Sequence, residues 1–430
     1  MSIAIKTSEL NSEMREKIEN DLSVKIELKG NNDRNKQSKY IYPYSVVKGE
    51  ALLPFAYAKT EMGFERPSRE MYPKGNIIFT GKLRAEQEKV KEEATKFLND
   101  YGCVMVSCYT GFGKSISAIK LCSKINLKTL IIIPNKVVLI EQWVKSFDRF
   151  CKDIKYQVLS SKSVMDKESS IYIMNGANIP KMPVDYFKDI GTVIVDEAHL
   201  IVSDVLSTSL KCIRPRYLIG LTATPYRPDD YEKLIWLYFG NNIIFRKLNR
   251  EHDVFRVDTG IEPPIELGNN GKVDWNKILT FQAESMERNE MIIRLLRFFS
   301  KRVILVLCKR VNQANYLYEK LKELNEDVTS LIGAQKKYEQ TSRILIATCQ
   351  KAGVGFDHPR LDSILLAGDI KEYFIQYLGR CFRTEKGKPV IIDMVDNNFI
   401  LKRHFQERQQ IYYEHGGNIR NFNKHFPEFI

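Results

Sequence analysis

The stretch Cys108–Ser115, which reads CYTGFGKS, decides the fold of this chain. A short apolar run, Cys103–Val106, precedes it, and apolar residues recur at helical spacing from Ile116 onward. A buried strand, a glycine-bearing turn that ends in Lys-Ser, and a helix form the context that a phosphate-binding loop requires. The sequence therefore predicts a nucleotide site at this turn, although Cys108 stands where the pattern usually has glycine.

Each residue type in the turn suits a chain of phosphates. Glycines let successive backbone N–H groups point inward, and the N-terminus of the helix adds a favourable field. Lys114 would reach the β- and γ-phosphates, and the hydroxyl of Ser115 would hold Mg²⁺. The predicted nucleotide-binding residues of the turn are Thr110, Gly111, Phe112, Gly113, Lys114 and Ser115.

Length and composition describe an ordinary globular protein. The chain has 430 residues, 43% hydrophobic and 28% charged, which is enough for two or three domains with their own cores. Its 66 basic and 53 acidic residues give a net charge of +13. This charge favours a polyanionic partner such as nucleic acid, but it also fits a basic protein with no such partner.

The cysteines and the apolar runs indicate the redox compartment of the protein and whether it contacts a membrane. The eight cysteines form no Cys-x-x-Cys pair, so neither a zinc site nor a disulfide framework is expected, and a reducing compartment is favoured. No run of 18 apolar residues occurs, and the N-terminus lacks an apolar signal region. We expect a soluble protein without membrane contact, in the cytoplasm or nucleus.

Apolar runs alternate with segments of helical length in two parts of the chain. The first part, residues 76–240, and the second, residues 286–400, each predict a parallel sheet covered by helices on both faces. The glycine- and proline-bearing interval 241–285 is predicted as the linker between them. Residues 1–75 are predicted as a small accessory domain. The basic and aromatic tail, 401–430, predicts a helix followed by a loop, which either packs on the second domain or binds a partner.

An acidic motif follows the apolar run Val193–Val195. A carboxylate at the carboxyl end of a parallel strand points into the crevice where ligands bind. Asp196 is therefore predicted to orient Mg²⁺ and Glu197 to polarise the attacking water. The alternative is that the two acids only cap the next helix. His199 is placed to couple the acids to the segment Thr222–Pro225.

Four motifs in this order resemble those of superfamily-two helicases: the phosphate loop, Asp196–His199, Thr222–Pro225 and Gln376–Arg383. The resemblance covers about residues 80 to 400. Glu141–Trp143 and Thr224–Asp229 resemble the XPB-type branch and the DNA-directed ATPases of large DNA viruses, including the poxvirus transcript-release helicases. DEAD-box proteins would have Asp where this chain has His199.

The resemblance implies an α/β fold of two tandem RecA-like parallel-sheet domains with ATP and Mg²⁺ bound at their interface. It implies that Gln376, Arg380 and Arg383 serve catalysis, the two arginines as arginine fingers, and the alternative is a surface arginine pair in a basic chain. It also implies that Arg84 and Gln87 lie in the adenine-reading segment, with the Gln87 amide able both to donate to and to accept from the base. The family segment usually reads Arg-Pro-x-Gln, whereas this chain has Ala85, so the alternative is an ordinary surface glutamine.

The remaining implied residues concern the nucleic acid and its coupling to ATP. The coupling residues are His199, Thr222 and Thr224. Gly355 would permit a close approach, and Asp357 would face the ribose or the arginines. The implied nucleic-acid contacts are Pro134, Asn135, Lys136, Gln142, Thr348 and Gln350. For Trp143 a core position is as reasonable as base stacking, and Arg288–Asn289 matches either a family dipeptide or a helix cap.

The sequence as a whole predicts an ATP-dependent nucleic-acid helicase or translocase that acts on DNA. The alternatives are an RNA helicase and an ATP-gated nucleic-acid clamp or transcription accessory factor with little hydrolysis. The resemblance to viral enzymes adds the transcription or replication machinery as a partner and the virion or viral factory as a location.

Overall fold

A computed structural model of the chain describes residues 1–27, 38–134, 137–183, 185–201, 211, 213–223, 231–268, 271–335, 337–352, 358, 360–370, 377–379 and 387–429. The chain divides into two compact units, Met1–Arg246 and Lys247–Ile430.

The first unit is built on a parallel sheet. Its strands are β1 (Ser2–Lys6), β2 (Val24–Glu27), β3 (Ser38–Ile41), β4 (Ser45–Val47), β5 (Glu50–Pro54), β6 (Ile78–Phe79), β7 (Cys103–Cys108), β8 (Thr129–Ile133), β9 (Cys151–Lys152), β10 (Tyr156–Leu159), β11 (Ile171–Asn175), β12 (Thr192–Asp196), β13 (Tyr217–Thr222) and β14 (Ile243–Arg246). In the described residues, seven strands pair in parallel in the order β10-β11-β8-β12-β13-β7-β14. The inner strands β7, β8, β12 and β13 are buried along their whole length, as helices on both faces require.

Helices alternate with the strands of the first unit. They are α1 (Ser12–Asp21), α2 (Phe55–Thr60), α3 (Ala85–Asp100), α4 (Lys114–Ile125), α5 (Val137–Phe150), α6 (Ala198–Ile201) and α7 (Glu232–Phe239), with 3₁₀ turns at Thr7–Glu9, Arg69–Met71 and Gly176–Lys181. Helix α4 starts directly after the turn that follows β7, so the predicted strand, turn and helix are present. Helix α3 buries Val90, Ala94 and Leu98 at a spacing of four residues.

The N-terminal segment shares its core with the main sheet. Strands β1, β5 and β4 form an antiparallel sheet whose Ile3 and Leu53 belong to the same buried cluster as Leu130 and Val193. Helix α2 packs on α7, and the Ser2 amide donates to the Ile213 carbonyl oxygen at 2.9 Å. In the described residues this segment therefore completes one face of the first unit.

The second unit repeats the architecture. Its strands are β15 (His252–Asp258), β16 (Ile304–Cys308), β17 (Val328–Leu331), β18 (Ile344–Thr348), β19 (Ser363–Leu366), β20 (Val390–Val395) and β21 (Gly417–Asn421). Its helices are α8 (Trp275–Glu284), α9 (Met286–Phe298), α10 (Val311–Glu323), α11 (Cys349–Ala352), α12 (Phe399–Glu414) and α13 (Phe422–His425), with a 3₁₀ turn at Pro427–Phe429. Among the described residues the strands pair in parallel in the order β17-β18-β16-β19-β20-β15-β21. The predicted α/β class with two parallel-sheet domains is confirmed.

Two intervals contain more regular structure than their sequence suggested. The interval 241–285, predicted as a linker, contains β14 of the first sheet, β15 of the second sheet and α8. The tail, predicted as a helix and a loop, contains most of α12, then strand β21 at the edge of the second sheet, and α13. In these two intervals, glycine and proline residues lie at the ends of helices and strands and do not exclude regular structure.

In the described residues no helix combines the length and the apolar character that crossing a membrane requires.

Candidate active site

The turn between β7 and α4 depends on its two glycines. Gly111 and Gly113 have φ values of 89° and 91°, a left-handed conformation that other residues adopt only with strain. A Cβ at Gly113 would also lie 2.4 Å from Nε2 of Gln87. The conformation of this turn and the close approach of Gln87 therefore both favour glycine.

Lys114, the first residue of α4, folds back over the turn. Its Nζ donates to the carbonyl oxygens of Cys108 at 2.8 Å and Tyr109 at 3.4 Å. The ammonium group thus lies inside the loop, where the N-terminus of the helix also favours an anion. Phosphate oxygens are stronger acceptors for an ammonium than neutral carbonyls, so an exchange of partners is favourable.

Arg84 and Gln87, at the start of α3, brace the turn from behind. The Gln87 Nε2 donates to the carbonyl oxygen of Phe112 at 2.8 Å, and the Arg84 side chain donates to the same oxygen. The Gln87 Oε1 accepts from the Arg84 amide at 2.8 Å, which caps α3. Gln87 is buried, and both ends of its amide bind protein groups in this structure. Adenine reading by Gln87 therefore requires an exchange of these bonds and stays a prediction.

The acidic motif lies at the same edge of the sheet as the turn. Strand β13 separates β7 from β12, and Asp196 is the last residue of β12. Its Oδ2 accepts a hydrogen bond from Nε1 of Trp143 at 2.9 Å, and its Oδ1 accepts from the Glu197 amide at 3.0 Å. Burial, with the nearby Glu197 charge, raises the pKa of Asp196 to about 6, while Lys114 and the two donors act in the opposite direction.

Glu197 has an unusual backbone and an uncommitted oxygen. Its φ is 48°, in the left-handed region. Its Oε2 is buried without a hydrogen-bond partner among the described residues and lies 3.6 Å from Nδ1 of His199. Strained residues and unsatisfied buried acceptors concentrate at functional sites, because surrounding structure must hold them in place.

His199 joins the acidic motif to the end of β13. Its Nδ1 lies 2.8 Å from the hydroxyl oxygen of Thr222, and both residues are buried. Thr222 pairs with Ser107 just before the phosphate turn, so it lies between the turn and the acids. The structure thus brings together Lys114, Asp196, Glu197, His199 and Thr222. The third predicted coupling residue, Thr224, lies outside the described residues.

These side chains fit a Mg²⁺-bound triphosphate. The turn carries two glycines with positive φ, as a loop whose backbone binds phosphate requires, and Lys114 supplies a cation. Ser115 follows it at the start of α4, and Asp196 offers a carboxylate of the type that Mg²⁺ prefers. The free oxygen of Glu197 supplies an acceptor for a proton.

The predicted nucleic-acid residues are placed in part. Pro134 is partly buried just after β8, and Gln142 is partly buried on α5. Thr348 ends β18 and is buried, whereas Gln350 is exposed on α11. Outside the described residues lie Asn135, Lys136, Gly355, Asp357, Gln376, Arg380 and Arg383. Tyr377, beside Gln376, donates from its hydroxyl to the Cys349 carbonyl oxygen at 2.8 Å.

Three residues with open interpretations, Trp143, Arg288 and Asn289, have definite contacts. Trp143 is 1% exposed and belongs to the core, so it is not presented to bases in this structure. The N-cap of α9 is Ser285, while Arg288 is fully buried and its Nε donates to Asp396 at 3.0 Å. The Asn289 side chain donates to the Ala283 carbonyl oxygen at 2.8 Å. The sequence has no local signal for the contact between Trp143 and Asp196, because the two residues lie 53 positions apart.

Comparison with known proteins identifies the family to which the chain belongs. Residues 80–227 match the family model described as Type III restriction enzyme, res subunit. A protein named "Putative helicase 161L" from Invertebrate iridescent virus 6 is 36% identical over 98% of this chain and 100% of its own length. The chain belongs to the superfamily-two helicases. It is therefore a nucleic-acid-dependent ATPase and a nucleic-acid helicase.

Two further similarities have lower sequence identity. This helicase is 26% identical to "Putative ATP-dependent RNA helicase L396" of Acanthamoeba polyphaga mimivirus, over 96% of this chain and 84% of that protein. A single-residue variant of Dbp5 from S. cerevisiae, bound to RNA and ADP BeF3, superposes with a TM-score of 0.56 at 15% identity, covering 80% of this chain and 96% of that chain. The second likeness concerns the fold and agrees with two tandem RecA-like domains.

Proposed function

We propose that this helicase couples hydrolysis of Mg²⁺-bound ATP to movement along, or separation of, DNA strands, and that it is of the DEAH type. One observation supports this most: Lys114, Asp196 and Glu197 meet at one edge of the first sheet, on both sides of Thr222. A cation, a buried carboxylate and an uncommitted acceptor are the groups that phosphoryl transfer to water uses.

The side chains take separate roles in this proposal. Lys114 gives up the carbonyl oxygens of Cys108 and Tyr109 and donates to the β- and γ-phosphates. Ser115 and Asp196 hold Mg²⁺, which neutralises charge on the phosphates when it is bound. Glu197 accepts the proton of the attacking water through its free oxygen. Arg84 and Gln87 hold the phosphate turn rigid from behind.

Coupling to nucleic acid is proposed to pass through His199 and Thr222. Their bond connects the acidic motif with the end of β13, and the predicted coupling residue Thr224 follows two positions later. The proposed roles of Gln376, Arg380 and Arg383 in catalysis stay predictions. Arg380→Ala is expected to lower ATP hydrolysis and leave ATP binding unchanged, because an arginine finger acts mainly on the transition state.

RNA is the competing substrate. DNA is favoured by the resemblance of the motif set to DNA-directed viral ATPases, whereas the mimivirus relative is named an RNA helicase. The relatives named above are viral, and we propose a role beside viral transcription or replication machinery.

An ATPase panel tests the proposal. Hydrolysis is measured without polymer and with duplex DNA, single-stranded DNA or RNA, and DNA is expected to stimulate most. Lys114→Ala should abolish nucleotide binding, and Glu197→Gln should lower kcat by about 10²–10⁴-fold with binding retained. Lys124→Ala, an exposed lysine on the same helix, is the matched control and should behave as wild type.

Each other result has a definite meaning. Greater stimulation by RNA would replace DNA as the substrate class. Stimulation by none of the polymers would contradict the coupling and favour a slow clamp. Full hydrolysis by Glu197→Gln would remove Glu197 from its role.

A further inference from the structure

The indole of Trp143 has an unexpected partner. Helix α5 buries Leu139, Trp143 and Phe147 against the first sheet, so the ring of Trp143 is a core group. A buried indole N–H needs an acceptor, and in most cores a backbone carbonyl is available. Here Nε1 donates instead to Oδ2 of Asp196 at 2.9 Å, across 53 positions of sequence.

This bond holds one oxygen of the Asp196 carboxylate, and a backbone amide holds the other oxygen. The Glu197 amide donates to Oδ1 at 3.0 Å, so each oxygen of Asp196 accepts one neutral N–H group. Two donors on different oxygens set the rotation of the carboxylate plane. Each oxygen keeps a further lone pair, so the hydrogen bonds leave it able to bind a cation.

We infer that Trp143 is a positioning residue that orients Asp196 for Mg²⁺. The inference rests on the proposed function, in which Asp196 holds the metal. A neutral donor suits this task, because it steadies the carboxylate without competing with the metal as a second cation. Groups that hold metal ligands in this way typically contribute 10–100-fold to metal affinity.

The same ring also packs in the core, and a neighbour allows the two roles to be separated. The Trp143 and Phe147 ring centroids are 5.9 Å apart, and Phe147 in turn contacts Tyr156 at 5.5 Å. Phe147 shares the packing but has no N–H group. A variant at 147 therefore measures the cost of disturbed packing alone.

The test measures binding of a fluorescent ADP analogue to the full-length protein, once with Mg²⁺ and once with EDTA. For the wild type, affinity should be higher with Mg²⁺. Trp143→Phe should reduce this gain by about 10-fold or more, with the affinity in EDTA unchanged within about twofold. Phe147→Leu should keep the full gain. A full gain in Trp143→Phe, or an equal loss in Phe147→Leu, would overturn the inference.

Two variants separate failure of this inference from failure of the proposed function. Lys114→Ala should lose affinity even in EDTA, which marks the nucleotide site itself. Asp196→Asn should abolish the Mg²⁺-dependent gain. If Asp196→Asn keeps the gain, both the metal role of Asp196 and the role of Trp143 are wrong. If only Trp143→Phe keeps it, the metal site stands and Trp143 is a packing residue.

A second measurement avoids truncation of the core. Replacing Trp143 with 3-benzothienylalanine keeps the ring shape and removes the N–H, so the gain should fall as in Trp143→Phe.

In the wild type, labelled with ¹⁵N in its three indoles, the Trp143 N–H resonance should shift when Mg²⁺ is added to the ADP-bound protein. The resonances of Trp236 and Trp275 serve as internal references. An unmoved Trp143 resonance would contradict the inference.

Discussion

Both large sheets carry buried carboxylates near the carboxyl ends of their strands, yet the two sheets surround them with different partners. In the second unit, Arg408 donates to Asp369 at 2.9 Å and, through two nitrogens, to Asp393 at 2.8 Å each. Arg288 pairs with Asp396 at 3.0 Å. In the first unit the hydrogen bonds that Asp196 accepts from described residues come from neutral donors.

The pKa values follow this difference. Burial opposes ionisation of Asp369, but bonds from His404 and Arg408 hold its pKa below the usual range. Burial and the Glu197 charge raise the pKa of Asp196 to about 6. Loss of the arginine would leave Asp369 buried without its hydrogen-bonded cation, whereas the hydrogen-bond donors described for Asp196 are already neutral. The two sheet edges thus differ in whether a cationic side chain donates hydrogen bonds to the buried carboxylates.

The largest expected effect comes from removing the arginine that pairs with the buried carboxylates of the second unit. Arg408→Ala leaves Asp369 and Asp393 buried without their shared cation and should lower the free energy of unfolding by about 3–5 kcal/mol. Urea denaturation measures this change. The matched control is Arg403→Ala, on the exposed face of α12, which should shift stability by less than about 0.5 kcal/mol. Equal losses in the two variants would show that the buried network contributes no special stability.

For Asp196, whose described hydrogen-bond donors are neutral, ionisation of the carboxyl group is expected to lower the stability of the folded protein. The pKa of Asp196 is about 6 in the folded protein and about 4 in an unfolded chain, so the folded state binds the proton more tightly. Stability from this group is therefore complete below about pH 4 and is lost as the pH rises through about 6. A shift of about two units corresponds to roughly 3 kcal/mol.

Removing the charge should recover most of that loss. Without Mg²⁺, the stability of Asp196→Asn relative to wild type should rise by about 2 kcal/mol between pH 4 and pH 7.5, because only the wild type carries the buried charge, whereas the amide gives up one of the two N–H contacts at both pH values. Urea denaturation at both pH values checks this. Asp393→Asn serves as the comparison, because it weakens contacts with Arg408 and Tyr412 and should destabilise the protein. A pH-independent effect of Asp196→Asn would contradict the charge argument.

Local signals in the sequence predicted the parts of this comparison that lie close together along the chain. The strand, turn and helix around Lys114 and the acids after β12 are marked by glycines and apolar runs within a few residues. The alternation of strands and helices predicted two parallel sheets. Such features need no knowledge of distant partners, because backbone geometry and burial set them locally.

The partners of the carboxylates could not be predicted in the same way. Trp143 is 53 residues from Asp196, and Arg288 is 108 residues from Asp396, so only the folded sheet brings them together. Strand β15 lies in the interval predicted as a linker, because glycines and prolines follow it. Its alternating residues, His252–Asp258, carried a strand signal, but its parallel pairing with β20 depends on tertiary structure.

The smallest expected effect concerns the backbone beside Asp196. Glu197 has a φ of 48°, whereas in the described part of the second unit the non-glycine residue with positive φ is Asn325, after helix α10. A residue with a Cβ held in this region costs about 1 kcal/mol, and glycine relieves the cost. Glu197→Gly should therefore be more stable than Glu197→Ala by about 1 kcal/mol in urea denaturation, with hydrolysis lost in both. Since both variants lack the carboxylate, their difference isolates the backbone. Equal stability would mean that relief of strain at Glu197 only matches the greater unfolded-state entropy of glycine, and the backbone would then contribute no net difference between the two sheet edges.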